Sequence, residues 1–159
     1  MSKVRVAIIG VGNCASSLVQ GIHKYSEVQD NELQVPGLMH NVLGGYSIGD
    51  VNVVAAFDVD KDKVGKDLNE AIFTKNNNAL KFYDVPKTGV NVERGMTHDG
   101  VGEYLADVIE VEKDQNKSGS QTSDIVQILR EKEVDVVINY LPVGSEQATK
   151  WYVEQVLAA

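Results

Sequence analysis

Val4-Arg5-Val6-Ala7-Ile8-Ile9-Gly10-Val11-Gly12-Asn13-Cys14-Ala15 is the stretch that decides the fold. Its first half is an apolar, β-branched run of strand length that stops at a glycine. Its second half has the spacing G-x-G-x-x-A. Gly10 permits a tight turn, Gly12 lets a backbone approach a ligand with no Cβ in the way, and Ala15 is small enough for the next helix to pack against the strand. Beyond the turn, Ala15, Leu18, Val19 and Ile22 fall at i, i+3, i+4 and i+7, one stripe of a helix. Strand, glycine turn and helix in this order aim free N–H groups and a positive dipole end at the place where a dinucleotide pyrophosphate binds. A bare strand–turn–helix that binds nothing is the competing reading, and the three-part context weighs against it. Gly10, Gly12, Asn13, Cys14 and Ala15 are therefore candidate cofactor-binding residues, Asn13 through its amide or its backbone.

The second strand is expected over Val51 to Phe57, ending at Asp58. A carboxylate at this strand end accepts hydrogen bonds from the adenosine ribose hydroxyls. Asp58 comes later than the usual spacing of about 20 residues after the glycines. The excess is Ser26 to Asp50, polar and glycine-bearing, with Pro36, Gly44 and Gly45, which reads as a surface excursion. Val59, Asp60, Lys61 and Asp62 follow with no arginine, so a 2′-phosphate would meet carboxylates and NAD is favoured over NADP. The plain alternative for Asp58 is a helix cap or a solvated turn residue.

Further along, the spacing predicts a helix over Lys63 to Phe73, with Val64, Leu68, Ala71 and Ile72 on one face. Asn76-Asn77-Asn78 is turn-like, Lys81 to Val85 and Val90 to Glu93 are short strand candidates, and Gly95 to Gly102 is a loop leading to a short helix within Val101 to Val108. Lys113 to Ser123 is polar and includes the turn Ser118-Gly119-Ser120. Asp124, three residues before Gln127, is placed to cap a helix with Ile125, Ile128 and Leu129 on its apolar face. Val134 to Tyr140 is the next buried strand, ended by Pro142 and Gly144, and Ser145 is placed to cap the helix carrying Trp151 and Tyr152. Ligands of open parallel sheets sit beyond the carboxyl ends of strands, so Tyr140, Pro142 and Ser145 are expected on the far wall of the crevice that the glycine turn edges. The predicted fold is an α/β doubly wound parallel sheet, one domain over residues 1–159.

The net charge of −8 and the pI near 4.8 argue against a nucleic-acid partner. No run approaches the ~18 apolar residues of a membrane span, and the start carries no signal-peptide pattern. The single cysteine, Cys14, excludes an intramolecular disulfide, and a reducing cytoplasm is the expected location. Cys14 is read as a small residue packed under the pyrophosphate rather than as a reactive thiol. His23, His40 and His98 lack metal-ligand spacing, so no metal is expected. Trp151 and Tyr152 read as core or interface residues, and a cofactor contact by His98-Asp99 stays open.

Several segments, taken in order, resemble one family. They are residues Val6 to Ser17, Pro36-Gly37-Leu38-Met39-His40, Val53 to Asp60, Val64-Gly65-Lys66-Asp67-Leu68, Thr97-His98-Asp99-Gly100-Val101-Gly102 and Asn139-Tyr140-Leu141-Pro142-Val143-Gly144-Ser145-Glu146. Together they are similar to the N-terminal part of myo-inositol-1-phosphate synthases of the bacterial and archaeal type. The resemblance implies an NAD-binding domain of Rossmann type, incomplete relative to the family. It implies an isomerase that converts D-glucose 6-phosphate to 1D-myo-inositol 3-phosphate by NAD-dependent oxidation, enolisation, aldol cyclisation and re-reduction. A cytoplasmic homotetramer serving inositol and phospholipid biosynthesis is the implied setting. The family's catalytic lysines are expected beyond Ala159, in a further domain that also forms the oligomer interface. No catalytic residue is carried onto this chain, which alone is expected to be inactive and to expose an apolar sheet edge or helix face. A stand-alone NAD-binding module for redox sensing or scaffolding is the alternative of another class, and a dehydrogenase lacking its substrate domain is a third.

Overall fold

β1 (Val4–Ile9) is an inner strand of a four-stranded parallel sheet in the computed structural model, which describes residues 3–28, 35–113 and 122–159. Val6 to Ile9 are buried, as expected of a parallel strand covered on both faces. Gly10 to Gly12 lead into α1 (Asn13–Lys24), which buries Ala15, Val19 and Ile22 and half-buries Leu18, the predicted stripe. His23 and Lys24 occupy its last turn, where cations complement the helix dipole. The excursion after α1 contains a hairpin of β2 (Val42–Leu43) and β3 (Tyr46–Ser47). Its Gly44-Gly45 turn has φ 60° and 88°, the left-handed pair that a two-residue hairpin needs. Met39 and Leu43 are exposed there, in keeping with a surface excursion. A 3-10 turn, Ile48–Asp50, then enters β4 (Val51–Asp58). The chain continues through α2 (Leu68–Ala71), β5 (Val92–Arg94), α3 (Glu103–Ala106), α4 (Thr122–Glu131), β6 (Val136–Asn139) and α5 (Glu146–Ala158).

The strand order is β5-β4-β1-β6, with every pairing parallel. The chain builds outward from β1 to one side, then crosses to add β6 on the other, so the order reverses between β1 and β6. That reversal is where open α/β sheets bind ligands. One face packs Val6, Ile8 and Ala56 against Ala15 and Val19 of α1 and Leu68 and Ala71 of α2. The other packs Ala7, Ile9 and Phe57 against Ile125 and Leu129 of α4 and Tyr152 of α5. The expected doubly wound layers are present. β6 is an edge strand with Val136 exposed, and Val153 and Leu157 of α5 are exposed as well.

Pairing of β1 with β4 runs from Val4↔Val51 to Val6↔Val53 and resumes at Ala7↔Ala55, so Val54 is an extra residue in a bulge. Side chains alternate along a strand, and one extra residue reverses their sides. Val51 and Val53 accordingly pack on the α1 face, while Ala55 and Phe57 pack on the α5 face.

Some local expectations are corrected. Lys63 to Phe73 is not one helix: Gly65, at φ 81°, donates its N–H to the Val92 carbonyl, and Asp67 caps the four-residue α2 by accepting the Asn69 N–H. Val64, Leu68, Ala71 and Ile72 are nonetheless all buried, because the apolar spacing works through the bend. Lys81 to Val85 is not a strand. The fully buried Gln20 side chain takes the place of a neighbouring strand, accepting the Phe82 and Tyr83 N–H groups and donating to the Leu80 carbonyl. The third strand is Val92–Arg94 rather than Val90 to Glu93, since the Val90 carbonyl is taken by the Leu68 N–H. Strand β6 is shorter than Val134 to Tyr140. α4 begins at Thr122, which puts Asp124 inside its first turn rather than at the cap. Residues 114–121 of the polar stretch, including Ser118-Gly119-Ser120, lie outside the described residues. Among the described residues no helix is long and apolar enough to cross a membrane.

Candidate functional site

Where the strand order reverses, Gly10 ends β1 with φ 87°, and a Cβ added there would stand 3.0 Å from the Tyr140 carbonyl oxygen after β6. The close approach of the two strand ends, together with the positive φ, requires glycine for the fold itself. Gly12 is different. Its φ of −93° suits any residue, and nothing lies within 4 Å of its Cβ position. The protein has no packing reason for glycine at 12; a ligand resting on that backbone would supply one.

A cavity of about 340 Å³ opens here, with Gly10, Gly12, Asn13 and Cys14 on one side and Tyr140, Leu141 and Pro142 on the other. The first turn of α1 has neither a capping side chain nor an acidic residue, so its dipole end is left uncompensated beside the cavity. Ala15 is fully buried beneath the turn, where its small size serves the packing. Cys14 is exposed and lines the cavity.

Asp58 also lines the cavity, and its carboxylate is tied into the backbone. Oδ2 accepts the Val11 N–H at 2.7 Å, and Oδ1 accepts the N–H groups of Val59 at 2.7 Å and Asp60 at 2.9 Å. The turn role and the cavity-lining position therefore coexist. Oδ1 is saturated, while Oδ2 retains acceptor capacity for one more donor. The surroundings of Asp58 are not carboxylates alone, as the sequence suggested. Buried Lys63, bent inward by the turn that replaces the predicted helix, sits 3.8 Å from Asp58 Oδ2 and 3.7 Å from Asp60 Oδ2. Lys61 pairs with Glu110, and Asp62 lies 3.5 Å from Lys75.

The asparagine triplet, read from sequence as a turn, fastens this wall. Asn77 Nδ2 donates to the Val11 carbonyl at 3.1 Å and the Ile72 carbonyl at 3.0 Å, and Asn76 Nδ2 donates to Asp60 Oδ2 at 3.1 Å. Asn13 Oδ1 accepts the N–H groups of Asn78 and Ala79 at 2.6 and 2.9 Å, so its oxygen is committed to the protein. The sequence signal was the triplet itself.

The opposite wall is apolar, formed by Met96, Leu105, Val108, Ile109, Leu141 and Pro142. Tyr140 and Pro142 line the cavity as expected. Ser145 does not: it is buried elsewhere, stands at the start of α5, and makes no side-chain cap. Asp99 supplies the cap, accepting the Gln147 and Ala148 N–H groups at 2.8 Å each, and these bonds hold its carboxyl below the ordinary value. Tyr152 is buried against this wall and its hydroxyl accepts the Met96 N–H at 2.8 Å; burial pushes its pKa upward, so it stays protonated. His98, at φ 39°, places its ring 6.0 Å from Trp151. Among the described residues no group of three or more His, Cys, Asp or Glu is placed to hold a metal ion.

A parallel sheet whose order reverses at a glycine turn, with helices on both faces and a cavity at the carboxyl ends of its strands, defines a Rossmann-like α/β protein. Inositol-3-phosphate synthase of Mycolicibacterium smegmatis is 56% identical over 152 residues, covering 96% of this chain and 40% of that protein. The enzyme of the same name from Mycobacterium tuberculosis is 54% identical over 153 residues with the same coverage, and that of Corynebacterium glutamicum is 47% identical over 158 residues, covering 99% and 42%. The resemblance carried by the motifs is thus shown: nearly the whole of this chain is similar to one part of each of these inositol-3-phosphate synthases. The chain spans about 40% of the length of the curated relatives it matches. No protein-family model matches it. A crystal structure of Ari2 superposes with a TM-score of 0.75 at 29% identity, over 99% of this chain and 43% of that one. A myo-inositol-1-phosphate synthase-related protein from Thermotoga maritima, with a TM-score of 0.60 at 23% identity over 98% of this chain and 43% of that one, supports the fold.

Proposed function

We propose that this chain is the dinucleotide-binding part of an inositol-3-phosphate synthase and takes NAD in the cavity beside Gly10 to Cys14. The observation that carries the reading is the open space at Gly12, next to the uncapped first turn of a twelve-residue helix. The residues present fit the group: a backbone cradle that a Cβ would fill, a dipole end for the pyrophosphate, and a carboxylate with acceptor capacity at the end of β4. When bound, NAD supplies a hydride acceptor and donor. The chain's own residues bind and orient. Asp58 and Asn77 fix the Val11 peptide from its N–H and its carbonyl side, so the turn is set before a ligand arrives. Leu141 and Pro142 line the opposite side with apolar surface that excludes water. The conversion of glucose 6-phosphate to 1D-myo-inositol 3-phosphate, the cytoplasmic location and the homo-oligomer belong to the reading of the whole protein, and no residue of this chain is given a role in the chemical steps.

Calorimetric titration with NAD and NADP tests the proposal. NAD binding that exceeds NADP binding, and that Gly12→Val abolishes without lowering the melting temperature, is the expected result. A folded wild-type chain that takes up no NAD would overturn it. Asp58→Ala is a poor control, because it strips acceptors from the N–H groups of Val11, Val59 and Asp60 and disturbs the turn itself.

A further inference from the structure

Lys63 brings an ammonium to a cavity wall otherwise built of carboxylates and amides. The residue is 5% exposed and lines the cavity, and its backbone N–H donates to the Asp60 carbonyl, so the turn holds it there. Its Nζ stands 3.8 Å from Asp58 Oδ2 and 3.7 Å from Asp60 Oδ2. Those distances give charge compensation but lie outside hydrogen-bond reach. Asp60 is occupied elsewhere, accepting the Asp62 N–H on Oδ1 and the Asn76 amide on Oδ2. A buried ammonium with unfilled N–H donors therefore faces Asp58 Oδ2, which has unfilled acceptor capacity. An oxygen about 2.8 Å from each atom bridges such a gap, provided it both accepts and donates.

A hydroxyl meets that requirement. A phosphate does not, because it would bring two negative charges to a group holding two carboxylates and one cation. We propose that Lys63 and Asp58 together read the 2′-hydroxyl of the adenosine ribose, Lys63 Nζ donating to the hydroxyl oxygen while the hydroxyl donates to Asp58 Oδ2. Lys63 is then a specificity-determining residue for the dinucleotide. The assignment rests on the NAD reading above. A water bridging the same two atoms is the competing occupant.

The test is titration of the wild-type chain and Lys63→Met with NAD and with the analogue lacking the adenosine 2′-hydroxyl. Wild type should prefer NAD by about tenfold or more, the worth of one charge-assisted hydrogen bond. Lys63→Met should lose most of that preference, keeping the share that the hydroxyl's bond to Asp58 Oδ2 supplies, while binding the deoxy analogue as wild type does. Equal weakening toward both ligands would mean that Lys63 only holds the Asp58 turn, and unchanged NAD affinity would leave the position to water; either overturns the assignment. Should Lys63→Met fail to fold, lysine ammonium NMR on the wild type decides. The Lys63 resonance moves with NAD and stays put with the deoxy analogue, and equal shifts overturn the assignment. A wild type that binds neither ligand overturns the NAD reading, and this assignment with it.

Discussion

On the α1 side of the cavity, Asp58, Asn13, Asn76 and Asn77 direct their polar atoms to the glycine turn and its neighbours, whereas on the α5 side Leu105, Ile109, Leu141 and Pro142 present apolar surface. The polar ties of the apolar wall spare its Leu, Ile and Pro side chains: Asp99 caps α5, the Tyr152 hydroxyl accepts the Met96 N–H, and Arg94 donates to the Gly95 and Glu112 carbonyls and the Thr97 hydroxyl. The first wall is held by bonds with fixed directions, so moving one residue leaves several groups unsatisfied. The second is held by shape, so it fails where a clash or a void appears. Hydrogen-bonded walls place charge and hydroxyls, and packed walls exclude water.

The contrast breaks most visibly at Gly95, where a Cβ would stand 1.9 Å from the Tyr152 hydroxyl oxygen. Gly95→Ala should destabilise the chain by about 3 kcal/mol, and Tyr152→Phe alone by about 1 kcal/mol. Combined, they should recover most of the Gly95→Ala loss, because the obstructing atom is gone. Simple addition of the two losses in urea unfolding would show that the wall is not shape-limited there. On the polar wall, Asn77→Ala removes donors from the Val11 and Ile72 carbonyls. A loss of about 2 kcal/mol follows, seen as a melting temperature lower by roughly 4–8 °C. An unchanged melt would mean that the amide does not fasten the turn.

Gly10 and Gly12 sharpen the comparison within one motif. Gly10→Ala should lose about 1–3 kcal/mol through its positive φ and the nearby Tyr140 carbonyl. Gly12→Ala should stay within about 0.5 kcal/mol, having open space. Equal losses in the two variants would contradict the division of labour between them. The smallest effect is a pH dependence at Asp99. Its carboxyl is depressed in the folded chain, so its contribution is complete above the unfolded value of about 3.9 and fades as the pH falls through the lower folded value. Fluorescence of Trp151, the single tryptophan and a residue of α5, should report loosening of that helix on acidification. In Asp99→Asn the change should be muted.

What the sequence made legible was local. The strand, glycine turn and helix lie within some twenty consecutive residues, and Asp58 closes an unmistakable apolar run. The lacing was not legible, because Asn13 meets its partner 65 residues away and Asp58 reaches back 47 residues to Val11. Lys63 was missed because a regular helix was read where Gly65 turns the chain. Ser145 was overvalued for a related reason: local capping rules name the residue at the helix start, and Asp99 competes for those N–H groups from 48 residues upstream.

The extra residue at Val54 acts as a phase setter. Asp58 shares the parity of Ala56, and Ala56 packs on the same α1 face as Val53, three residues earlier, only because the bulge absorbs the odd residue between them. Deleting Val54 would straighten the strand and leave the carboxylate on the same face, whereas drawing Val54 into the regular alternation would turn it toward the opposite layer. Added length in the Ser26–Asp50 excursion would leave that parity untouched. Tolerance to a change of length within β4 is therefore decided by whether a bulge can absorb the odd residue.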